Sequence, residues 1–163
     1  MCPMTTIQQA IELRAEGKPE EAKTILLELL PQSPDDPDIH YQLAWVHDMM
    51  GLESEAVPYY EKAISSGLKD PERSGALLGL GSTYRTLGMY GKSKEIFEQG
   101  LREYPRAREF KVFYAMTLYN LRQYDKAMEL LLREISDTSN DEGTRSYQRA
   151  IAFYSDKLDQ VWK

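Results

Sequence analysis

The sequence predicts an all-α fold built as a stack of about four helical hairpins with one further helix at the end. Three observations carry this. Ala22, Ala56, Ser93 and Ala127 recur at spacings of 34, 37 and 34 residues. Four places after each stands a large apolar residue: Leu26, Tyr60, Phe97 or Leu131. A fixed period in this range marks repeated supersecondary units that bury their faces on one another. Apolar residues also recur at intervals of three and four without runs of alternating β-branched residues, which is the helical period.

The helices then follow in order. Pairs are expected near 4–16 and 19–31, 37–50 and 53–66, 71–87 and 91–104, and 106–121 and 124–135. Pro19 with Glu20 and Glu21 opens the second helix, its carboxylates near the positive helix end. Asp36-Pro37 and Asp70-Pro71 each set a capping carboxylate before a proline at the first helical position. Gly17, Gly51 and Gly88 fall at hairpin turns, where a left-handed backbone suits glycine. Ser136–Gly143 is the longest loop, and a solitary helix is expected from about Asp141 to Trp162. No linker interrupts the chain, so a single domain over residues 1–163 is expected.

Composition narrows the function. The net charge of −6 argues against phosphate backbones and anionic membranes as partners, so neither nucleic acid nor membrane binding is expected. Residues 1–72 hold 5 Lys/Arg against 14 Asp/Glu, while residues 73–163 hold 15 against 12, giving an acidic front and a mildly basic back. Cys2 is the single cysteine, which suits a reducing cytoplasm and reads as a terminal thiol with no base beside it in sequence. Gln8, Gln9, Glu12 and Arg14 interrupt the first turns, so no signal peptide is expected. The most apolar stretch, Ile25 to Leu30, carries Glu28 and is far shorter than a membrane span.

Leu77-x-x-Leu80-Gly81-x-x-Tyr84, Gly88, Tyr90, Ser93, Phe97 and Pro105 closely resemble a tetratricopeptide repeat, W-x2-L-G-x2-Y…A-x3-F…P. The second unit is similar through Leu43, Ala44, Gly51, Ala56, Tyr60 and Ala63. It carries His40 and His47 where aromatics are usual, and its proline, Pro71, comes three residues late, which places an insertion near Gly67–Asp70. The fourth matches through Tyr114, Ala115, Tyr124, Ala127 and Leu131, with Arg122 at the turn glycine and Ser139 at the proline. The first keeps Ala10, Leu13, Gly17, Ala22, Leu26 and Pro34, with Thr6 and Gln9 at apolar places. The resemblance covers residues 4–139, and the chain is similar to small stand-alone bacterial tetratricopeptide proteins of the group-5 type. It implies a right-handed α-solenoid with repeats at about 4–36, 37–70, 71–105 and 106–139, a capping helix at about 141–162, a protein-interaction role, and homodimers.

The same resemblance implies that the first helix of each pair lines a concave groove. The face beside the core stripe there presents Ile7, Ile11 and Arg14; Tyr41, Trp45 and Asp48; Leu78, Ser82 and Arg85; Val112, Met116 and Tyr119. These fall at helical spacings and are mostly apolar. Chaperone-adaptor domains of this family grip an acidic tail with a lysine and asparagine pair. The matching positions here are Ile7/Ile11, Tyr41/Trp45, Leu78/Ser82 and Val112/Met116, and none fits. An apolar or amphipathic peptide is the expected partner. Five half-covered large side chains remove on the order of 500 Å² from water, about 12 kcal/mol before association costs of about 4–15 kcal/mol. Trp45 and Tyr41 packing on adjacent repeats is the plainer alternative.

Tyr147, Ile151, Tyr154, Leu158 and Val161 step by four and three, a seam with Trp162 beside its end that suits capping the stack or self-association. The alternative function is a self-associating structural module, a homodimer through the groove or this last helix; an antiparallel one would lay the acidic front of one copy over the basic back of the other. No enzyme is expected. His40 and His47 lack a third metal ligand and read as core residues, so no metal and no cofactor is expected. Asp35, Asp36 and Asp38 read as helix-start residues, and Gly79 and Gly81 follow no strand. Arg102, Arg106, Arg108 and Lys111 alternate with Glu103 and Glu109 as a solvated surface.

Overall fold

The structure is a computed structural model that describes residues 5–162. Cys2 lies outside the described residues. Among the described residues ten α-helices follow one another: α1 (Ile7–Ala15), α2 (Pro19–Leu29), α3 (Pro37–Met49), α4 (Glu53–Ser65), α5 (Glu72–Thr86), α6 (Tyr90–Glu103), α7 (Arg108–Asn120), α8 (Tyr124–Thr138), α9 (Glu142–Ser146) and α10 (Gln148–Tyr154). A 3-10 turn at Leu30–Gln32 prolongs α2. All eight helices of the expected pairs are present. The backbone divides into two compact units, residues 1–89 and 90–163.

In the first unit each helix packs on the next, and α1 also meets α3 and α3 meets α5. The odd-numbered helices therefore form one layer and α2 with α4 the other. The core joins Ala10, Ala22, Leu26, Ile39, Leu43 and Val46, with Ile7, Leu13, Ile25 and Tyr59 against it. The repeat alanines Ala22 and Ala56 are fully buried, which is why a small residue recurs there. His40 and His47 belong to this interior. A ring nitrogen of His40 donates to the Pro34 carbonyl at 2.8 Å, and His47 Nδ1 donates to the Leu43 carbonyl at 2.7 Å. Both rings lie beside Tyr59.

Hairpin turns repeat in atomic detail. At Gly17, Gly51 and Gly88 the backbone is left-handed, and paired amides reach back three and five residues to the helix carbonyls. Arg122 adopts the same geometry with φ of 61°, its amide bonded to Tyr119 and that of Gln123 to Leu118. The repeat thus dictates a conformation that arginine tolerates poorly. Arg122→Gly is expected to stabilise the protein by about 0.5–1 kcal/mol in urea unfolding; an unchanged or lower midpoint would contradict it.

Asp36 caps α3 as expected, accepting from the amides of Asp38 and Ile39. The start of α5 differs: Pro71 is itself the cap residue and the helix opens at Glu72. The amide of Arg73 already bonds the Lys69 carbonyl, which draws the preceding turn into the helix start. Before it, Gly67 takes a left-handed conformation and Leu68 turns inward to full burial, which accounts for the insertion between the second and third repeats.

In the second unit α6 packs on α7, α7 on α8, and α10 on α8. Phe97 and Phe110 are fully buried and meet edge to face, while Phe110 stacks on Tyr104. Ser93, the serine at a repeat-alanine position, is fully buried because its hydroxyl meets that of Thr117 at 2.8 Å. Glu134 is nearly buried and accepts from Arg108 at 2.8 Å and Lys111 at 3.0 Å, tying α8 to α7. Its own burial would raise its pKa, but those two cations outweigh that and hold it below the usual glutamate range.

The chain end corrects the sequence reading. Helix α8 runs on to Thr138, so the connection to α9 is only residues 139–141. The long terminal helix is broken: α9 has 5 residues, α10 has 7, and they part at Tyr147. Gly143, Thr144 and Ser146 are weak helix formers, and Ser136 draws the Gln148 carbonyl to its hydroxyl at 3.1 Å. Helix α10 stops at Tyr154, and past it the Ser155 hydroxyl bonds the Ala152 carbonyl and Lys157 Nζ the Phe153 carbonyl. Leu158 lies in a turn and Val161 in irregular chain beyond it, so the heptad seam does not form.

Candidate interaction site

The first unit carries nine of the twelve candidate residues. Helices α1, α3 and α5 carry Ile7, Ile11 and Arg14; Tyr41, Trp45 and Asp48; Leu78, Ser82 and Arg85. Ile7 packs onto the core from one side of this layer. Ile11, Leu78 and Ser82 are half-buried, as is Arg85. Trp45 is 38% exposed, whereas Tyr41 below it is 5% exposed. The tyrosine and indole rings meet at 5.6 Å and Tyr41 meets Tyr60 at 6.3 Å, so Tyr41 supports the indole from beneath. Its hydroxyl occupies the place where a β-carbon on Gly75 would stand, which fixes α3 close to α5.

Over the indole lies Arg14, whose guanidinium carbon is 3.4 Å from the ring centroid. This is a cation–π stack between α1 and α3. Arg14 Nε is buried without a hydrogen-bond partner, and burial pulls the guanidinium below its ordinary pKa, with Tyr41 and Tyr60 opposing.

Asp48 is only half-buried, yet it is not a free charge. Tyr60 Oη donates to it at 2.7 Å, and Thr83 Oγ1 stands 3.0 and 3.1 Å from its two oxygens. One carboxylate thereby joins α3, α4 and α5. Its burial pushes the pKa above the ordinary aspartate range despite the two hydroxyl donors. Burial and the neighbouring Asp48 charge also raise the Tyr60 phenol, and burial raises Tyr41 to about 12. The sequence pattern marked Tyr60 as a repeat residue but not as a partner of Asp48, and it did not single out Thr83. Thr83 carries the only local signal, a hydroxyl on the buried stripe of α5.

In the second unit α7 presents Val112, Met116 and Tyr119. Val112 is half-buried, Met116 is 38% exposed and Tyr119 is 62% exposed. Tyr119 stands edge to face with Tyr124 at 5.1 Å. Tyr124 and Met128 continue into a cleft of about 620 Å³ with Leu158 on its far side. Phe153, Tyr154 and Trp162 form a separate exposed aromatic cluster with centroids 5.1–6.3 Å apart.

Among the described residues no three His, Cys, Asp or Glu side chains gather as metal ligands. No described helix is long and apolar enough to cross a membrane.

No curated protein matches the chain. Several solved structures resemble it, among them the following two. YrrB, a TPR protein with an unusual peptide-binding site, superposes with a TM-score of 0.73 at 17% identity, covering 94% of this chain and 77% of that one. The MamA RS-1 ArsTM double mutant superposes with a TM-score of 0.68 at 15% identity, covering 94% and 93%. Both likenesses concern the fold, an all-α tetratricopeptide solenoid. The profile of the tetratrico peptide repeat matches residues 37–158. With repeat residues, turn geometry and this match in agreement, the chain belongs to the tetratricopeptide repeat family.

Proposed function

We propose that this protein is a non-catalytic adaptor whose α1–α3–α5 face holds an apolar or amphipathic segment of another protein. One observation carries the reading: Trp45, a large side chain well suited to anchoring partners, stays partly exposed while its position is fixed by Tyr41 below and Arg14 above. Ile11 and Leu78 extend the apolar surface on either side, and Met116 with Tyr119 offers a further apolar face in the second unit. YrrB is itself described by a peptide-binding site, so the fold is compatible with such a role. The family as a whole works through protein contacts. A cytoplasmic place for the protein accords with its lone cysteine.

A second reading is favoured by the exposed cluster of Phe153, Tyr154 and Trp162: self-association into a homodimer. Trp45→Ala separates the two. In the adaptor, partner capture falls by roughly 30-fold or more, the loss of an anchoring aromatic, with unchanged size in light scattering. A dimer seated on the aromatic cluster is untouched by Trp45→Ala and instead turns into a monomer in Phe153→Ala. Light scattering of the wild type at low and high salt completes the test, since a monomer at both, at tens of micromolar, removes the dimer.

A further inference from the structure

We propose that Arg14 reads a single carboxylate on the partner, one helical turn from a bulky apolar side chain that covers Trp45. The inference rests on the partner-binding reading above and names the chemistry of the segment bound.

Four features of the site point the same way. The guanidinium is held in place by its stack on Trp45 and not left to move freely in water. Its charge has no ion-pair partner among the described residues, and beside it stand the phenols of Tyr41 and Tyr60. This holds although residues 1–72 contain 14 Asp and Glu, so acidic partners are abundant in this part of the chain and none is used. Asp48, one of those acids, is taken up by Tyr60 and Thr83.

The geometry also sets the manner of binding. Nε of Arg14 is buried against the protein and makes no hydrogen bond, so that edge is closed. The two terminal nitrogens remain, and they present the end-on, two-donor pattern that matches a carboxylate. Loss of water around a stacked guanidinium strengthens its attraction to an incoming anion. The indole under the guanidinium is still 38% exposed, so one ligand side chain can cover what is left of Trp45 while its neighbour reaches Arg14. Residues three or four apart on a helix are about 5–6 Å apart at their β-carbons, which suits two sites in van der Waals contact. The acidic balance of residues 1–72 repels a run of negative charges. A lone carboxylate fixed beside an apolar anchor is therefore favoured over an acidic tract.

A phage-displayed library of random 12-residue peptides, selected on the full chain of residues 1–163, tests this. Peptides enriched by the wild type should share Asp or Glu three or four places from Leu, Ile or Phe. Two such peptides, synthesised with Glu and with Gln at that place, should differ about tenfold or more in Kd on the wild type, followed by calorimetry. On Arg14→Gln the ratio should collapse to about twofold, whatever affinity both peptides lose in common from the freed indole; circular dichroism and an unchanged urea midpoint show that the variant is folded. Apolar peptides without the acid, or a Glu preference that survives Arg14→Gln, overturn the inference and leave the adaptor reading intact. Failure of any peptide to be enriched on the wild type overturns both.

Discussion

Replacing Phe110 with alanine is expected to destabilise the second unit by about 3–5 kcal/mol, measured as a lower urea midpoint at unchanged slope. Phe110 is fully buried, stacks on Tyr104 and meets Phe97 edge to face. Its loss removes a large apolar surface and opens a cavity that those rings, themselves held by neighbours, fill only in part. A second substitution shows that the ring sets this cost. A β-carbon on Gly100 would run into the Phe110 ring, its Cζ at 2.9 Å. Gly100→Ala in the wild type therefore costs about 1–2 kcal/mol net, overpacking outweighing the gain in helix propensity. Once Phe110 is alanine the obstruction is gone, and the same change should stabilise by about 0.5–1 kcal/mol. Gly91 lies on the same helix with nothing within 4 Å of the place a β-carbon would take, so alanine there should gain that amount in either background. A Gly100→Ala effect of one sign in both backgrounds would break the argument.

Tyr60→Ala should cost the first unit a similar 3–5 kcal/mol, because the ring is buried against Tyr41 and fills the space over Gly79. Tyr60→Phe isolates the hydroxyl. It keeps the ring and leaves the Asp48 carboxylate with one fewer donor, at about 1.5–3 kcal/mol near neutral pH. The pH dependence follows from linkage. Burial raises the Asp48 pKa in the fold, so the folded protein holds that proton more tightly than the unfolded chain. The contribution of this group to stability is thus largest below the ordinary aspartate range and declines as pH rises through the folded value. The Tyr60 donor moderates that decline, and without it the pKa rises further. The gap between wild type and Tyr60→Phe should narrow as pH falls through the carboxyl range, and Asp48→Asn should flatten it. Glu134 acts in the opposite sense. Its lowered pKa gives stability above the unfolded glutamate value that is lost as pH falls through the folded one. Urea unfolding of the two variants at several pH values checks this, and a gap that widens on acidification rules out the Asp48 account.

The chain itself determined its helices, their order and their turns. A period near 34 residues, small residues at Ala22, Ala56 and Ala127, and glycine at three of four hairpins are local instructions, and local backbone preference is what a sequence states openly. Even Arg122 follows them, since the surrounding repeat leaves the turn one geometry. Tertiary structure decided the rest. Trp45 and Tyr41 share one face by spacing, yet one is partly exposed and the other buried, because Gly75 of a neighbouring helix admits the Tyr41 hydroxyl. Asp48 looked like a groove charge and became a tie between three helices, through hydroxyls 12 and 35 residues away. The terminal helix obeyed a heptad spacing on paper, but it breaks at Tyr147, beside the place where Ser136 of α8 holds the Gln148 carbonyl. Periodicity fixes which side a residue faces; how far that side is covered depends on partners remote in sequence.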